Sequence, residues 1–291
     1  MDQLKLVFVI LHYKNIKDTL ECVESIKSLK LSGTKIVVVE NGSFDSSTEE
    51  LKKLMKSIDV VFNDQNYGFA KGNNSGILYA KEKYNPDYYI VINNDITIED
   101  ANIANEIEKI YSLFEFDVLG PKIIARNGIN QNPNYLVLKT TKDIIKHLFR
   151  LTLINFLNHI GLYELIRKKR FTKKEEKKGD KTDSVLEGAP LHGSALIFSK
   201  KYIEKYEKPF NESTFLYGEE EFLFYRKNRD KLSFVYNPEI IVHHKEDASL
   251  NSIYNSSNKE KLKFVTRNSI KSLIQLLLLK VVNKMGGRKN E

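Results

Sequence analysis

Tyr88-Tyr89-Ile90-Val91-Ile92-Asn93-Asn94-Asp95 is the stretch on which the reading of this chain turns. Bulky apolar and aromatic residues end abruptly in small polar side chains, the last a carboxylate. A short apolar run bounded in this way reads as a buried strand. In an open α/β sheet, groups just past the carboxyl end of such a strand line the crevice where ligands bind. A carboxylate there suits a hard divalent cation, and Mg²⁺ completes its shell with water and substrate phosphates. Asn-Asn-Asp also favours an Asx turn, so the surrounding sequence has to decide.

Strands and helices alternate on both sides of that stretch. Strands are read at 4–11, 35–39, 60–62 and 118–124. Asn15 caps a first helix, whose Ile16, Leu20, Val23, Ile26 and Leu29 follow helical spacing up to Gly33. Ser47 and Glu50 form a capping box before Leu51, Leu54 and Met55. A third helix carries Asn73, Asn74, Ile77 and Ala80, and Asp100 caps a fourth with Ile103, Ile107 and Ile110. This alternation predicts an α/β fold, a Rossmann-like, mostly parallel sheet with helices on both faces. Apolar runs without polar alternation agree, because both faces of such strands are covered.

The pattern breaks at 139–185, where an amphipathic segment at 144–166 precedes a lysine-rich stretch. Strand character returns at 195–199 and 232–236. The expected organisation is one domain over 1–250, a helical and basic insertion at 139–185 within it, and a helical basic tail at 251–291.

Composition narrows the class. With 41% hydrophobic and 29% charged residues, the chain reads as globular. The single cysteine, Cys22, excludes an internal disulfide framework and fits a reducing compartment. No stretch reads as a secretory signal, and no apolar run approaches the ~20 residues of a spanning helix. The cytoplasm is therefore the expected location. The net charge of +8 calls for an anionic partner, with Arg167, Lys168, Lys169 and Arg170 opening the densest cluster. No nucleic-acid recognition motif accompanies it, so an anionic membrane surface is expected rather than nucleic acid.

Three polar groups follow the carboxyl ends of strands: His12, Glu40-Asn41-Gly42 and Asn94-Asp95. In a parallel sheet these ends share one edge and converge on one crevice. Glu40 suits a base N–H or a ribose hydroxyl, and Asp95 a metal that bridges phosphates. Asn66-Tyr67-Gly68-Phe69-Ala70-Lys71-Gly72-Asn73-Asn74 is a small-residue turn opening a helix. Its backbone N–H groups, with Lys71, are expected to cradle a phosphate. The spacing is that of neither a P-loop nor the dinucleotide fingerprint. Later, Glu219-Glu220-Glu221 follows an aromatic run, and Ile240-Ile241-Val242 leads to His243-His244-Lys245.

Taken in order, these pieces resemble the family-two glycosyltransferases of the GT-A fold, especially rhamnosyltransferase-like enzymes of bacterial cell-surface polysaccharide synthesis. The matching segments are 37–47, 66–76, 92–95, 192–198, 217–226 and 244–249, with Arg267-Asn268 in the tail. The resemblance implies that Asp95 and His244 hold Mn²⁺ or Mg²⁺ against a donor diphosphate, His243 being the alternative histidine. It implies that Glu40 touches the nucleotide and that Glu220 deprotonates the acceptor hydroxyl. His12, Asn41, Lys71, Asn74 and Asn94 complete the expected donor site.

The implied activity is an inverting, metal-dependent transfer of a sugar from UDP-hexose or dTDP-rhamnose to a hydroxyl of a growing, lipid-linked surface glycan. The chain departs from the family pattern at Asn93, Glu40, Glu220 and Phe222. Asn93 and Phe222 stand where relatives carry acids, which leaves a rival reading: a non-catalytic subunit supporting another transferase.

A lipid-linked acceptor would place the enzyme on the inner face of the cell membrane. Ile144, Ile145, Leu148, Leu151, Ile154 and Leu157 are then expected in the lipid interface, as are Ile270, Leu273, Ile274 and Leu277 beside Lys280, Lys284, Arg288 and Lys289. The alternative is that these helices pack on the domain or on a second copy in a homodimer.

Overall fold

The computed structural model describes residues 5–135, 137–138, 140–163, 183–245 and 258–285. The cluster at 167–181, Ser249, Arg288 and Lys289 lie outside the described residues.

The chain opens with β1 (Leu6–His12), α1 (Ile16–Ser28), β2 (Lys35–Glu40), α2 (Ser46–Leu54), β3 (Asp59–Phe62), α3 (Gly68–Tyr84) and β4 (Tyr88–Asn93). It continues through β5 (Ile96–Ile98), α4 (Ile103–Phe114), β6 (Val118–Ala125) and α5 (Thr141–His159). After the insertion come β7 (Leu186–Glu187), β8 (Ala195–Ser199), α6 (Lys200–Lys205), α7 (Glu219–Asp230), β9 (Phe234–His244) and α8 (Asn258–Met285).

These strands form one nine-stranded sheet in the order β3-β2-β1-β4-β8-β6-β9-β5, with β7 also pairing β9. β3, β2, β1 and β4 are mutually parallel, as the apolar runs predict. β8 then inserts antiparallel between β4 and β6, while β6 and β9 run parallel. The reversal at β8 puts the start of that strand against the end of β4, and the site is built on this adjacency.

Both faces are covered. Phe8, Ile10, Val38 and Ile92 pack with Val23 and Ile26 of α1 and Ile107 of α4. Val7, Val9, Val37 and Val91 pack with Ala70 and Ile77 of α3 and Tyr202 of α6. Burial on two faces is why successive residues of β1, β2 and β4 are all apolar. α3 lies unusually close to the sheet: a Cβ on Gly76 would stand 2.6 Å from side-chain carbons of both Val9 and Val39.

Several local expectations change. Asn15 caps α1, accepting from Asp18 N. The cap of α2 is Asp45, which accepts from Ser47 N at 2.9 Å, in place of the Ser47–Glu50 box. Asp100 closes a turn onto Asn102 N one step before α4 begins. The stretches read as a strand at 232–236 and an apolar run at 240–242 are one strand, β9. Its register jumps opposite Pro121/Lys122, where Asn237 and Ile241 are the successive partners. The residues between them include Pro238, which cannot donate to a ladder, so the strand bulges there.

The helix of the insertion ends at His159, inside the expected 144–166 segment. α5 and α8 pack together, Asn158 Nδ2 donating to Lys259 O at 2.9 Å. Ile144, Phe222, Leu273 and Leu276 form a third apolar cluster that joins both helices to α7. Cys22 is buried in α1, and burial pushes its thiol pKa far up, as suits a structural residue. Among the described residues, no helix is long and apolar enough to cross a membrane.

Candidate functional site

The turn after β4 carries Asp95 into β5, and β5 pairs antiparallel with the end of β9, Ile96 opposite His244. That pairing brings His244 Nε2 to 3.3 Å from Asp95 Oδ1. Asp95 O also accepts from Lys245 N at 3.1 Å. Both side chains are buried, yet Asp95 Oδ1 has no hydrogen-bond partner. The 3.3 Å approach is an ion-pair distance without hydrogen-bond geometry. A buried carboxylate oxygen left unpaired is costly, and a cation seated between the two side chains removes that cost.

On the other side of the imidazole, Nδ1 lies 2.7 Å from Gln131 Oε1. With the proton on Nδ1 donated to that oxygen, the Nε2 lone pair faces Asp95. Metal-binding histidines are held in this way. His243, the next residue back, falls on the exposed side of β9, as strand alternation requires. Among the described residues, no group of three or more His, Cys, Asp or Glu side chains could hold a metal. A divalent cation would thus take two ligands from Asp95 and His244 and the rest from phosphate and water, the usual habit of Mg²⁺.

The second half of the site comes from β8 and α7. Ser194 O accepts from Asn93 N at 2.9 Å, which ties the start of β8 to the end of β4. One residue earlier, Gly193 N donates to Glu220 Oε1 at 3.1 Å. A Cβ at Gly193 would itself stand 3.1 Å from that oxygen, so the carboxylate lies against the bare backbone. Glu220 and Glu221 are partly exposed, whereas Glu219 is buried. Burial, then the charge of Glu220, raises Glu219 to about 8 and Glu221 to about 7. Near neutral pH, Glu219 is mostly protonated and Glu220 stands between two partly neutralised acids. His192, known from the sequence only as part of a motif, brings its ring centroid to 6.2 Å from that of His244.

Phe222, one of the departures from the family pattern, is 4% exposed and packs with Ile144, Leu273 and Leu276. An acid there would face the apolar cluster under α5 and α8. Its identity follows from the packing of this chain.

The remaining expected site residues have mixed roles. Glu40 is buried at the end of β2 and accepts from Ser43 N at 2.6 Å through Oε1. Lys71 is exposed on α3. The phosphate cradle expected at 66–74 is corrected: Tyr67 N donates to Asn41 Oδ1, Gly68 N to Asn66 Oδ1 and Phe69 N to Phe215 O. Gly68, at φ +77°, allows this closure, since a Cβ there would lie 1.9 Å from Phe215 O.

Four polar side chains expected in the donor site are bonded to neighbouring protein groups. Asn41 Nδ2 donates to Asn66 Oδ1 and Gly68 O, and its Oδ1 accepts from Asn63. Asn74 holds the backbone of Phe210 through both N and O. Asn94 Nδ2 donates to Asn15 O and Thr19 Oγ1. His12 is fully buried with Nδ1 on Thr19 and Nε2 on Ser47, and burial lowers its pKa to about 4. Three residues that sequence reasoning left out belong to the surroundings: Gln131, His192 and Lys245, the last reaching Asp18 and Glu21. His192 and Lys245 fell within segments that matched the family pattern, and Gln131 did not.

Comparison with known proteins follows this geometry. Residues 7–172 match the family model for glycosyl transferase family 2. Over 233 residues the chain is 29% identical to the low-salt glycan biosynthesis hexosyltransferase Agl10 of Haloferax volcanii, covering 78% of this chain and 63% of that protein. The chain thus spans under two thirds of the length of this curated relative. Among solved structures, S. aureus TarS 1–349 in complex with UDP aligns with a TM-score of 0.53 at 13% identity, over 90% of this chain and 65% of that one. GalNAc-T7 with UDP, GalNAc and Mn²⁺ aligns with a TM-score of 0.52 at 12% identity, over 97% and 58%. At these identities the likeness is one of fold, and it agrees with the GT-A architecture expected from the sequence.

Proposed function

We propose, from the premise that this chain belongs to glycosyl transferase family 2, that it transfers a hexose from a nucleotide-diphosphate donor to a hydroxyl of a growing glycan, inverting the anomeric centre. The observation that carries this reading is the meeting of two parts at the end of β4. Asp95 and His244 stand 3.3 Å apart on one side, and Glu220 is tied to β4 through Gly193 and Ser194 on the other. The names of the similar proteins support it: a hexosyltransferase of glycan biosynthesis, one structure with UDP, and one with UDP, GalNAc and Mn²⁺.

Each residue has a chemical task. Asp95 and His244 would hold Mn²⁺ or Mg²⁺, which when bound supplies positive charge to the donor diphosphate. Glu220 accepts the proton of the acceptor hydroxyl as that oxygen bonds to the anomeric carbon, whose bond to the donor's diphosphate oxygen breaks to release the nucleoside diphosphate; the base is worth a typical factor of about 10² to 10⁴. Gly193 N–H holds one carboxylate oxygen of Glu220, leaving the other to face the acceptor. Glu40 would serve the nucleoside and Lys71 the phosphates, as the family resemblance implies. A single general base suits one in-line displacement, hence inversion. UDP-hexose and dTDP-rhamnose are the donors proposed. The acceptor is a lipid-linked surface glycan, with the enzyme peripheral on the cytoplasmic face of the membrane.

Donor turnover with Mn²⁺, compared among wild type, Asp95→Ala and Glu220→Gln, tests this assignment. Both variants should lose turnover while remaining folded. Equal turnover by all three proteins would refute the roles given to these residues.

A further inference from the structure

α5 and α8 pack against each other, and part of the apolar surface of each stays exposed among the described residues. On α5, Ile145, Phe149, Leu153 and Phe156 recur at helical spacing and are between 47% and 73% exposed. On α8, Leu278, Val281, Val282 and Met285 are between 53% and 84% exposed. This corrects the sequence reading of both helices: Ile144, Leu148 and Leu151 of α5 turn inward, as do Leu273 and Leu277 of α8, around Phe222 and Leu276. Residues 145, 149, 153 and 156 take the outer face.

Charge identifies what the face meets. α5 has one acid, Asp143 in its first turn where it bonds Thr140, while Lys146 and Arg150 are exposed beside the apolar stripe. From 261 to 285 there is no acid, against Lys261, Lys263, Arg267, Lys271, Lys280 and Lys284. A face turned to water, or to a typical protein, carries both signs. A second copy of this chain would set cations against cations. Where α5 meets the start of α8, a cleft of about 480 Å³ is lined by Lys259, Lys263 and Arg267 and by Phe156 of the exposed stripe. The same cleft includes Glu260, which pairs with Lys263 at 3.5 Å. Cations beside apolar side chains at one surface are the arrangement of a helix lying in the headgroup region of a bilayer.

We propose that the outer face of the α5–α8 pair docks on an anionic phospholipid bilayer, its aromatic and aliphatic side chains at the acyl boundary and its lysines and arginines among phosphate headgroups. The platform is coupled to the site. A Cβ on Gly218, just before α7, would lie 2.8 Å from Ser272 Cβ of α8, and Phe222 lies one half-turn beyond Glu220. Docking therefore fixes Glu220 relative to the membrane plane. This deepens the acceptor reading above, but its test needs neither donor nor turnover.

The test is flotation of the full chain with vesicles of phosphatidylcholine alone or mixed with phosphatidylglycerol. Wild type should float only with the anionic vesicles and release as salt rises. Phe149→Glu with Phe156→Glu should weaken flotation about tenfold or more, and Lys146→Glu with Arg150→Glu about as strongly. All four positions are exposed, so an unchanged melting temperature certifies the fold. Failure of wild type to float with anionic vesicles would overturn the proposal. So would unchanged flotation of the variants. Loss of a dimer in light scattering on Phe149→Glu, without loss of flotation, would assign the face to a second copy instead.

Discussion

His244 stands between Asp95 and Gln131, its Nε2 at 3.3 Å from Asp95 Oδ1 and its Nδ1 at 2.7 Å from Gln131 Oε1. When Nδ1–H donates to the amide oxygen of Gln131, a neutral ring turns its Nε2 lone pair toward the carboxylate. Gln131→Leu removes the acceptor and frees the ring. Mn²⁺ affinity, measured by calorimetry or by the free Mn²⁺ signal in electron paramagnetic resonance, should fall about 10- to 100-fold. Unchanged affinity would remove Gln131 from the account.

Glu220→Gln keeps the size of the side chain and can still accept from Gly193 N, but it cannot take a proton. Turnover should fall about 10² to 10⁴-fold, with nucleotide affinity and melting temperature held. A matching loss of nucleotide affinity would mean that Glu220 binds the donor.

Gly68→Ala sets a methyl group against Phe215 O, at a left-handed φ, in the loop that leads to α7. Overpacking and backbone strain each carry about 1–3 kcal/mol. The variant should melt several degrees lower, and Gly128→Ala, at φ +79° with open space around its Cβ, should lose less.

The buried His12 makes stability depend on pH. Its pKa is about 4 folded and 6.5 as the reference value. Between these, the unfolded chain binds the proton and the folded chain does not, so stability is fully present above pH 6.5 and is lost as pH falls toward 4. The contribution is on the order of 3 kcal/mol. Glu219, raised to about 8 by burial, acts oppositely, its share of stability falling as pH rises from 4.5 to 8. Denaturant titrations should show a shallower acid slope in His12→Asn than in wild type, and Glu219→Gln should hold stability better toward pH 8.

The fold was legible where one physical rule governed a stretch. Burial on both faces wrote the uninterrupted apolar runs of β1, β2 and β4, and the 88–95 stretch ended at Asp95, beside His244. β5 and β7 were too short to show a period, and Pro238 split β9 into two apparent pieces. Nothing in Ala195–Ser199 says that β8 runs antiparallel, since direction is set by partners far along the chain. Site residues were harder to sort because binding and bracing use the same side chains. Asn41, Asn74 and Asn94 have the side chains that ligand-binding amides would have, but Asn41 and Asn74 bond neighbouring loops and Asn94 Nδ2 bonds the start of α1. Gln131 lies in an irregular segment after β6, and its contact with His244 joins residues far apart in the chain, which no local pattern announces.

The central claim is that Asp95 and His244 form the protein's half of a cation site that the donor diphosphate completes. The most direct measurement is the melting temperature with UDP, with and without Mn²⁺, in wild type and Asp95→Ala. Wild type should be stabilised by UDP and Mn²⁺ together, more than by the sum of each alone, and Asp95→Ala should lose that excess. An equal excess in both proteins would contradict the claim.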